Sequence, residues 1–237
     1  MLPPQTERVW EFLSVQPSLA GFILIGGTAL AMRIKHRRSE DLDLAFPELC
    51  LPRIRLEALR HAAIQNQFEF GPDDDESALQ EFAFSGMDLH DYQQNFLVNG
   101  TVRISFFVPD AAVAKALSAE PTDRVRVATL PELFKTKCLV SALRSKTRDW
   151  LDLYLLLREH GFTIRDFRQT FRDARVESQC DLALSRLCSG VPQRDDEGYA
   201  HLLSNPPSIE QMKAFFIEQR NLLEIESAAE ARRARGG

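Results

Sequence analysis

The stretch 21–46, GFILIGGTALAMRIKHRRSEDLDLAF, contains the pattern that decides the fold. Its first five residues form a short apolar run that is typical of a buried strand. Gly26 and Gly27 follow, and here the chain can turn sharply because no Cβ obstructs it. Thr28 is predicted to be the N-cap of a helix over 29–34, whose first backbone N–H groups would face the glycine turn. Because a helix N-terminus of this kind can bind phosphate, the stretch predicts a phosphate site.

A second strand is predicted at the end of the stretch, where acidic residues alternate with leucines from Glu40 to Leu44. Leu42 and Leu44 would face the core, which places Asp41 and Asp43 together on the opposite face. Two carboxylates held one strand repeat apart repel each other, and a hard divalent cation between them is the simplest way to keep both ionised. The stretch therefore predicts one pocket for a nucleotide's phosphates and Mg²⁺, with Mn²⁺ as the alternative metal.

Each half of this pattern, taken alone, is weak evidence for a functional site. A Gly-Gly pair is usually a plain turn, and a lone Asp-x-Asp is usually a solvated strand face. Together they are far more specific, because they set the order and separation of strand, glycines, helix and paired acids. The strings GGTALAM and HRRSEDLDL resemble the first motif of the AbiEii/AbiGii toxin-type nucleotidyltransferases, a branch of the DNA polymerase β-like superfamily. The positions that match are His36, Arg37, Ser39, Asp41 and Asp43.

This resemblance implies a role for each residue of the motif. Asp41 and Asp43 would be catalytic residues that hold the metal. The remaining residues would bind the nucleotide: Gly26, Gly27, Thr28, Arg37 and Ser39. In this assignment Thr28 contributes its hydroxyl and Arg37 adds positive charge.

The resemblance also implies a third carboxylate, on a neighbouring strand. Asn99-Gly100 predicts a two-residue hairpin between strands over 89–98 and 101–108, and the third position falls on Ser105 in the second of these strands. Serine cannot replace a carboxylate as a charged metal ligand. Three interpretations stay open: one firmly held metal, weak or absent catalysis, or a substitute acid from Asp88, Asp91 or Glu81.

A helical hairpin later in the chain, LFKTKCLVSALRSKTRDWLDLYLLL, carries the second half of the resemblance. The first helix is predicted to run through Leu143, with Lys137 and Arg144 two turns apart on one face, and the second has Asp149 and Asp152 at i, i+3. On spacing alone, a hairpin held by salt bridges is the simpler interpretation. The resemblance implies instead that Lys137 is catalytic and neutralises the charge of the triphosphate or of the departing pyrophosphate. Asp149 and Asp152 would then be catalytic residues that hold the lysine or contact the nucleotide. Arg144 would bind the nucleotide.

Composition excludes several classes of protein. A formal net charge of −5 disfavours a protein that coats nucleic acid without regard to sequence. Four widely spaced cysteines without a C-x-x-C pair argue against a disulfide framework and against zinc, so free thiols are expected. No window has the length of a membrane span, and the first residues lack the apolar region of a signal peptide. A cytoplasmic protein without a membrane partner is therefore expected.

The predicted fold is α/β (α+β), with a polymerase β-like mixed sheet flanked by helices over 1–128 and a helical domain over 129–237. The cleft between them is the expected site. The predicted reaction is Mg²⁺-dependent transfer of NMP from an NTP to an acceptor hydroxyl. The resemblance implies the toxin of a type IV toxin–antitoxin or phage-defence pair, with tRNA, another RNA or a protein as acceptor and a cognate antitoxin as partner. The competing hypothesis, favoured by Ser105, is a protein of the same fold that binds a nucleotide or a partner with little or no turnover.

Overall fold

The computed structural model describes residues 2–118, 120 and 122–235, and these form two compact units that divide between Leu133 and Phe134. The first unit combines a sheet with helices. Its strands are β1 (Ile23–Ile25), β2 (Leu42–Ala45), β3 (Phe70–Pro72), β4 (Gln93–Val98), β5 (Val102–Phe107) and β6 (Arg126–Val127). Its helices are α1 (Pro4–Ser14), α2 (Gly26–Ile34), α3 (Arg53–Gln65), α4 (Glu76–Phe84), α5 (Ala111–Ala116) and the start of α6 (Leu130–Ser141).

Within the described residues the strands form one six-stranded sheet in the order β3-β4-β5-β2-β1-β6. β2 pairs in parallel with β5 and antiparallel with β1, while β1 pairs in parallel with β6. The hairpin β4–β5 and the pair β3–β4 are antiparallel. The predicted mixed sheet flanked by helices is therefore confirmed.

Side-chain chemistry explains two interior strands of this sheet, β1 and β2. β1 is entirely apolar and all three of its residues are buried, as expected for an interior strand. In β2, Leu42 and Leu44 are buried while Asp43 between them is only half-buried. The strand therefore turns its leucines to the core and its aspartate to the other face, as the alternation predicts.

The second unit is helical. It contains the rest of α6, then α7 (Thr147–Glu159), α8 (Ile164–Ala174), α9 (Ser178–Ser189) and α10 (Ile209–Arg235). Its interior includes Trp150, Phe167, Phe171 and Phe216, each at most 1% exposed. Among the described residues, no helix is both long and apolar enough to cross a membrane.

Two details differ from the sequence-based expectation. Helix α2 begins at Gly26 rather than after Thr28, because Gly26, with φ of +76°, already turns the chain out of β1. Helix α6 ends at Ser141, so Arg144 lies in the connection to α7 and not on the helix. The predicted free thiols are confirmed: Cys138, Cys180 and Cys188 are buried and Cys50 is exposed.

Candidate active site

The glycine turn and β2 meet at the first turn of α2. Gly26 adopts a φ of +76°, and a Cβ on this residue would lie 2.3 Å from Oδ2 of Asp43. A non-glycine side chain would therefore be strained by the backbone and would also clash with the carboxylate. The glycine lets the Asp43 carboxylate lie directly against the turn.

Gly27 allows a second close approach. A Cβ on this residue would lie 2.4 Å from Nη2 of Arg37 and 3.1 Å from Oγ of Ser39. Arg37 is only 6% exposed, and its Nη1 donates a hydrogen bond to the carbonyl oxygen of Arg38 at 3.1 Å. The guanidinium thus lies packed against the turn and is largely removed from solvent.

Thr28 connects the turn to Asp41. Its side chain is 1% exposed, with Oγ1 2.5 Å from the carbonyl oxygen of Asp41 and 2.9 Å from Oγ of Ser39. The Asp41 residue itself is exposed. The structure therefore brings all the residues predicted from the first motif together around one helical turn: Gly26, Gly27, Thr28, Arg37, Ser39, Asp41 and Asp43.

The position predicted for a third carboxylate lies beside Asp43. In the sheet, Asp43 is the register partner of Ser105, and Ser105 is in turn the partner of Asn95 on β4. Two of the suggested substitute acids, Asp88 and Asp91, form salt bridges with Arg53. Within the part of the chain that the structure describes, no three His, Cys, Asp or Glu residues are grouped so that they could hold a metal ion.

Asn95 was missed by the sequence analysis. It is the register partner of Ser105, and its Oδ1 is buried without a hydrogen-bond partner among the described residues. The hairpin signal Asn99-Gly100 did not point to Asn95, because a two-residue turn would pair Ser105 with Gln94 instead.

The residues of the second motif form another cluster, in the helical unit. Nζ of Lys137 lies 2.7 Å from Oδ1 of Asp149 and 2.6 Å from Oδ2 of Asp152. Arg144 reaches the same Asp149 carboxylate, with Nε 2.7 Å from Oδ2. Lys137 lies between the two carboxylates, and Arg144 supplies a second positive charge to the cluster.

Exposure divides this cluster into an inner and an outer part. Lys137, Asp149 and Asp152 are each at most 5% exposed, whereas the Arg144 side chain is 48% exposed. Burial opposes ionisation of Asp149, but the positive charges of Lys137 and Arg144 outweigh it and hold the pKa of this carboxyl below its ordinary value. Arg144 is the member of the cluster that a ligand in solvent could reach.

A polar residue beyond the predicted motif organises the start of α7. Asp196 accepts hydrogen bonds from the backbone N–H of Thr147 at 2.9 Å and from its hydroxyl at 2.7 Å. Thr147 is the first residue of α7, and Asp196 caps this helix from a distant loop. This contact fixes the helix end from which Asp149 projects.

Comparison with known proteins identifies relatives of this architecture. The model of the family described as "Nucleotidyl transferase AbiEii toxin, Type IV TA system" matches residues 9–233. The crystal structure of JHP933 from Helicobacter pylori is similar over 100% of both chains, with a TM-score of 0.54 and 17% identity. A candidate nucleotidyltransferase from H. pylori is similar over 94% of this chain and 96% of its own, with a TM-score of 0.52 and 16% identity. At these identities the two structures show a shared fold. No curated protein matches the chain.

Proposed function

Since the chain belongs to the AbiEii family of nucleotidyltransferase toxins of type IV toxin–antitoxin systems, we propose that it transfers NMP from an NTP to an acceptor hydroxyl in a reaction that depends on Mg²⁺. One observation carries the proposal. The Asp43 carboxylate lies against Gly26, where α2 begins, so the residue proposed as a metal ligand lies beside the turn proposed to bind phosphate.

The residues at this turn fit Mg²⁺. Asp41 and Asp43 offer carboxylate oxygens, and Ser105 beside Asp43 offers a neutral hydroxyl. Mg²⁺ prefers oxygen ligands and is commonly held by one or two carboxylates together with substrate phosphates and water, so a third acid is not required. When bound, the metal would supply positive charge that stabilises the transferring phosphoryl group and the leaving oxygen.

The first turn of α2 is proposed to bind the β- and γ-phosphates. Its N-cap residue, Ile25, has no side-chain oxygen that could accept a hydrogen bond from the backbone N–H groups of this turn. These N–H groups and the positive end of the helix dipole attract an anion. Ser39 is proposed to add a hydroxyl, because its Oγ lies next to Gly27.

The second cluster is proposed to serve the same reaction by analogy with the family. Asp149 and Asp152 would hold Lys137 in a fixed position, and Lys137 would counter the charge of the triphosphate or of the departing pyrophosphate. Arg144, which is half-exposed, would bind the nucleotide directly.

The proposed acceptor is a hydroxyl group of tRNA, of another RNA or of a protein. Family membership suggests a cognate antitoxin as a partner in the cell. A cytoplasmic location is proposed on the same basis.

A labelling screen tests the proposal. Purified protein is incubated with each α-³²P-labelled NTP, Mg²⁺, and either total RNA or total protein. Label should pass to one acceptor pool, and Asp43→Ala should abolish the transfer while Asp123→Ala, at an exposed site of the same unit, should not. Transfer that survives Asp43→Ala would exclude the proposed metal ligand.

The second candidate is a protein that binds the nucleotide or a partner without turnover, and Ser105 is the observation that favours it. In that case an NTP with Mg²⁺ would raise the melting temperature of the wild type but not of Asp43→Ala, and no label would move. The same screen therefore separates the two candidates.

A further inference from the structure

We propose that Thr28 is a positioning residue that sets the place of Asp41, and that its hydroxyl does not contact the nucleotide. This inference rests on the proposed function and assigns a new role within the same site. It replaces the phosphate-binding role that the family resemblance implied for Thr28.

Proton counting on the hydroxyl supports this role. The carbonyl oxygen of Asp41 can only accept a hydrogen bond, so the single proton of the Thr28 hydroxyl is donated to it across 2.5 Å. Ser39 then supplies its own proton to the 2.9 Å contact between the two hydroxyls, and this half-buried hydroxyl is the one that would turn to a phosphate when the nucleotide binds. With its proton engaged and its side chain 1% exposed, Thr28 has neither a donor nor a solvent path left for a phosphate.

The backbone of Asp41 needs such an anchor. Residues 36–41 have no regular secondary structure, and the ladder of β2 begins only at Leu42. Two buried threonines on two helices hydrogen-bond to carbonyl oxygens of this segment and help to hold it. Thr6 of α1 donates to the carbonyl oxygen of Glu40 at 3.2 Å, and Thr28 of α2 donates to the next carbonyl along the chain.

The position of Thr28 also links the two parts of the proposed site. It lies in the first turn of α2, directly after the glycines against which Asp43 and Arg37 pack. A displacement of Asp41 relative to this turn would therefore change the spacing of the two carboxylates. Groups that support metal ligands in this way commonly change metal affinity by about 10- to 100-fold when they are removed.

The test uses Thr28→Val, which keeps the shape of the side chain and removes the hydroxyl, and Thr28→Ser, which restores it. Thr170→Val is the matched control, because this buried threonine of the helical unit also donates to a backbone carbonyl. Mn²⁺ affinity is measured without nucleotide by electron paramagnetic resonance, and hydrogen exchange is followed at the amides of residues 36–41.

We expect Thr28→Val to weaken Mn²⁺ binding about tenfold or more and to accelerate exchange in this segment. Thr28→Ser should recover most of the affinity, and Thr170→Val should leave it unchanged. In the transfer assay, Thr28→Val should lower kcat.

Three outcomes would overturn the inference. Unchanged Mn²⁺ affinity in Thr28→Val together with a raised KM for the NTP would show that the hydroxyl contacts the nucleotide. Equal losses in Thr28→Val and Thr170→Val would show a general structural effect. A wild type that binds no Mn²⁺ even when a non-hydrolysable NTP analogue is present would overturn the proposed function itself, which the other two outcomes would leave intact.

Discussion

Replacing Gly26 by alanine tests the close packing of the glycine turn against Asp43. Two costs add in Gly26→Ala. A residue with a Cβ in the left-handed region loses about 1–2 kcal/mol, and overpacking at a site where the Cβ would lie 2.3 Å from Oδ2 of Asp43 costs about 1–3 kcal/mol more. The free energy of unfolding should therefore fall by about 2–5 kcal/mol unless the carboxylate moves away.

Gly86→Ala is the matched control for this experiment. Gly86 has a φ of +72°, close to that of Gly26, but no heavy atom of the described residues lies within 4 Å of the place that its Cβ would take. This variant should lose only the backbone term of about 1–2 kcal/mol. The difference between the two variants isolates the contact with Asp43.

The assay is urea unfolding of both variants, followed by the transfer reaction on each folded protein. Gly26→Ala should be the less stable variant and should lose transfer activity, whereas Gly86→Ala should retain it. Equal unfolding free energies together with full activity in Gly26→Ala would refute the proposed packing.

Three further predictions concern other parts of the molecule. Asp152→Asn removes one of the two carboxylates that lie within 2.7 Å of the buried Lys137 ammonium, while Asp149 remains paired with it, so urea unfolding should show a loss of about 1.5–3 kcal/mol, and no measurable loss would contradict the burial of this cluster. Burial opposes ionisation of Glu132, but hydrogen bonds from Arg126 and two backbone N–H groups hold its pKa at about 2, below the ordinary 4.5. The ionised Glu132 therefore stabilises the fold fully above pH 4.5, and this stabilisation is lost as the pH falls toward 2. In a plot of the unfolding midpoint against pH, the wild type should lose stability between these pH values, and Glu132→Gln should lose less. Ser105→Asp adds a carboxylate beside Asp43 and should tighten Mn²⁺ binding by roughly an order of magnitude while Ser105→Asn does not, as measured by titration calorimetry.

Local sequence pattern was sufficient to predict β1, β2 and the glycine turn between β1 and α2. When one face of a strand is buried, the alternation of Leu42, Asp43 and Leu44 allows only one orientation of the strand. The two-residue period of a strand was therefore enough to predict the face on which the Asp43 side chain lies. The turn followed from Gly26-Gly27, because few other residue pairs tolerate it.

Contacts between distant segments could not be read from the same pattern. A threonine after a glycine turn has the chemistry of an N-cap, yet the hydroxyl of Thr28 bonds to a carbonyl 13 residues away. Similarly, Asp196 caps α7 from 49 residues along the chain. Such partners depend on tertiary structure, which local propensity does not encode.

The β4–β5 hairpin shows how a small local error changes the composition of a site. Asn99-Gly100 predicted a two-residue turn, which would pair Ser105 with Gln94. The observed register pairs Val98 with Val102, so the loop has three residues and Ser105 faces Asn95 instead. A shift of one residue in the pairing of β4 with β5 thus decides which side chain of β4 lies beside Ser105, two strands away from Asp43.

Arg144 was predicted on a helix, two turns after Lys137, but α6 ends earlier and places it in the connection. It still reaches Asp149, because a long arginine side chain tolerates such a change of backbone. The pairing of Arg144 with Asp149 could be inferred from charge and spacing. The end of α6 before Arg144 could not.

The most direct test of the account is the position of the metal. Crystals grown with Mn²⁺ and a non-hydrolysable NTP analogue would show the ion by its anomalous scattering. We expect a Mn²⁺ peak coordinated by carboxylate oxygens of Asp41 and Asp43, with the phosphates at the first turn of α2. A Mn²⁺ ion and triphosphate bound elsewhere, with these two carboxylates uninvolved, would contradict it.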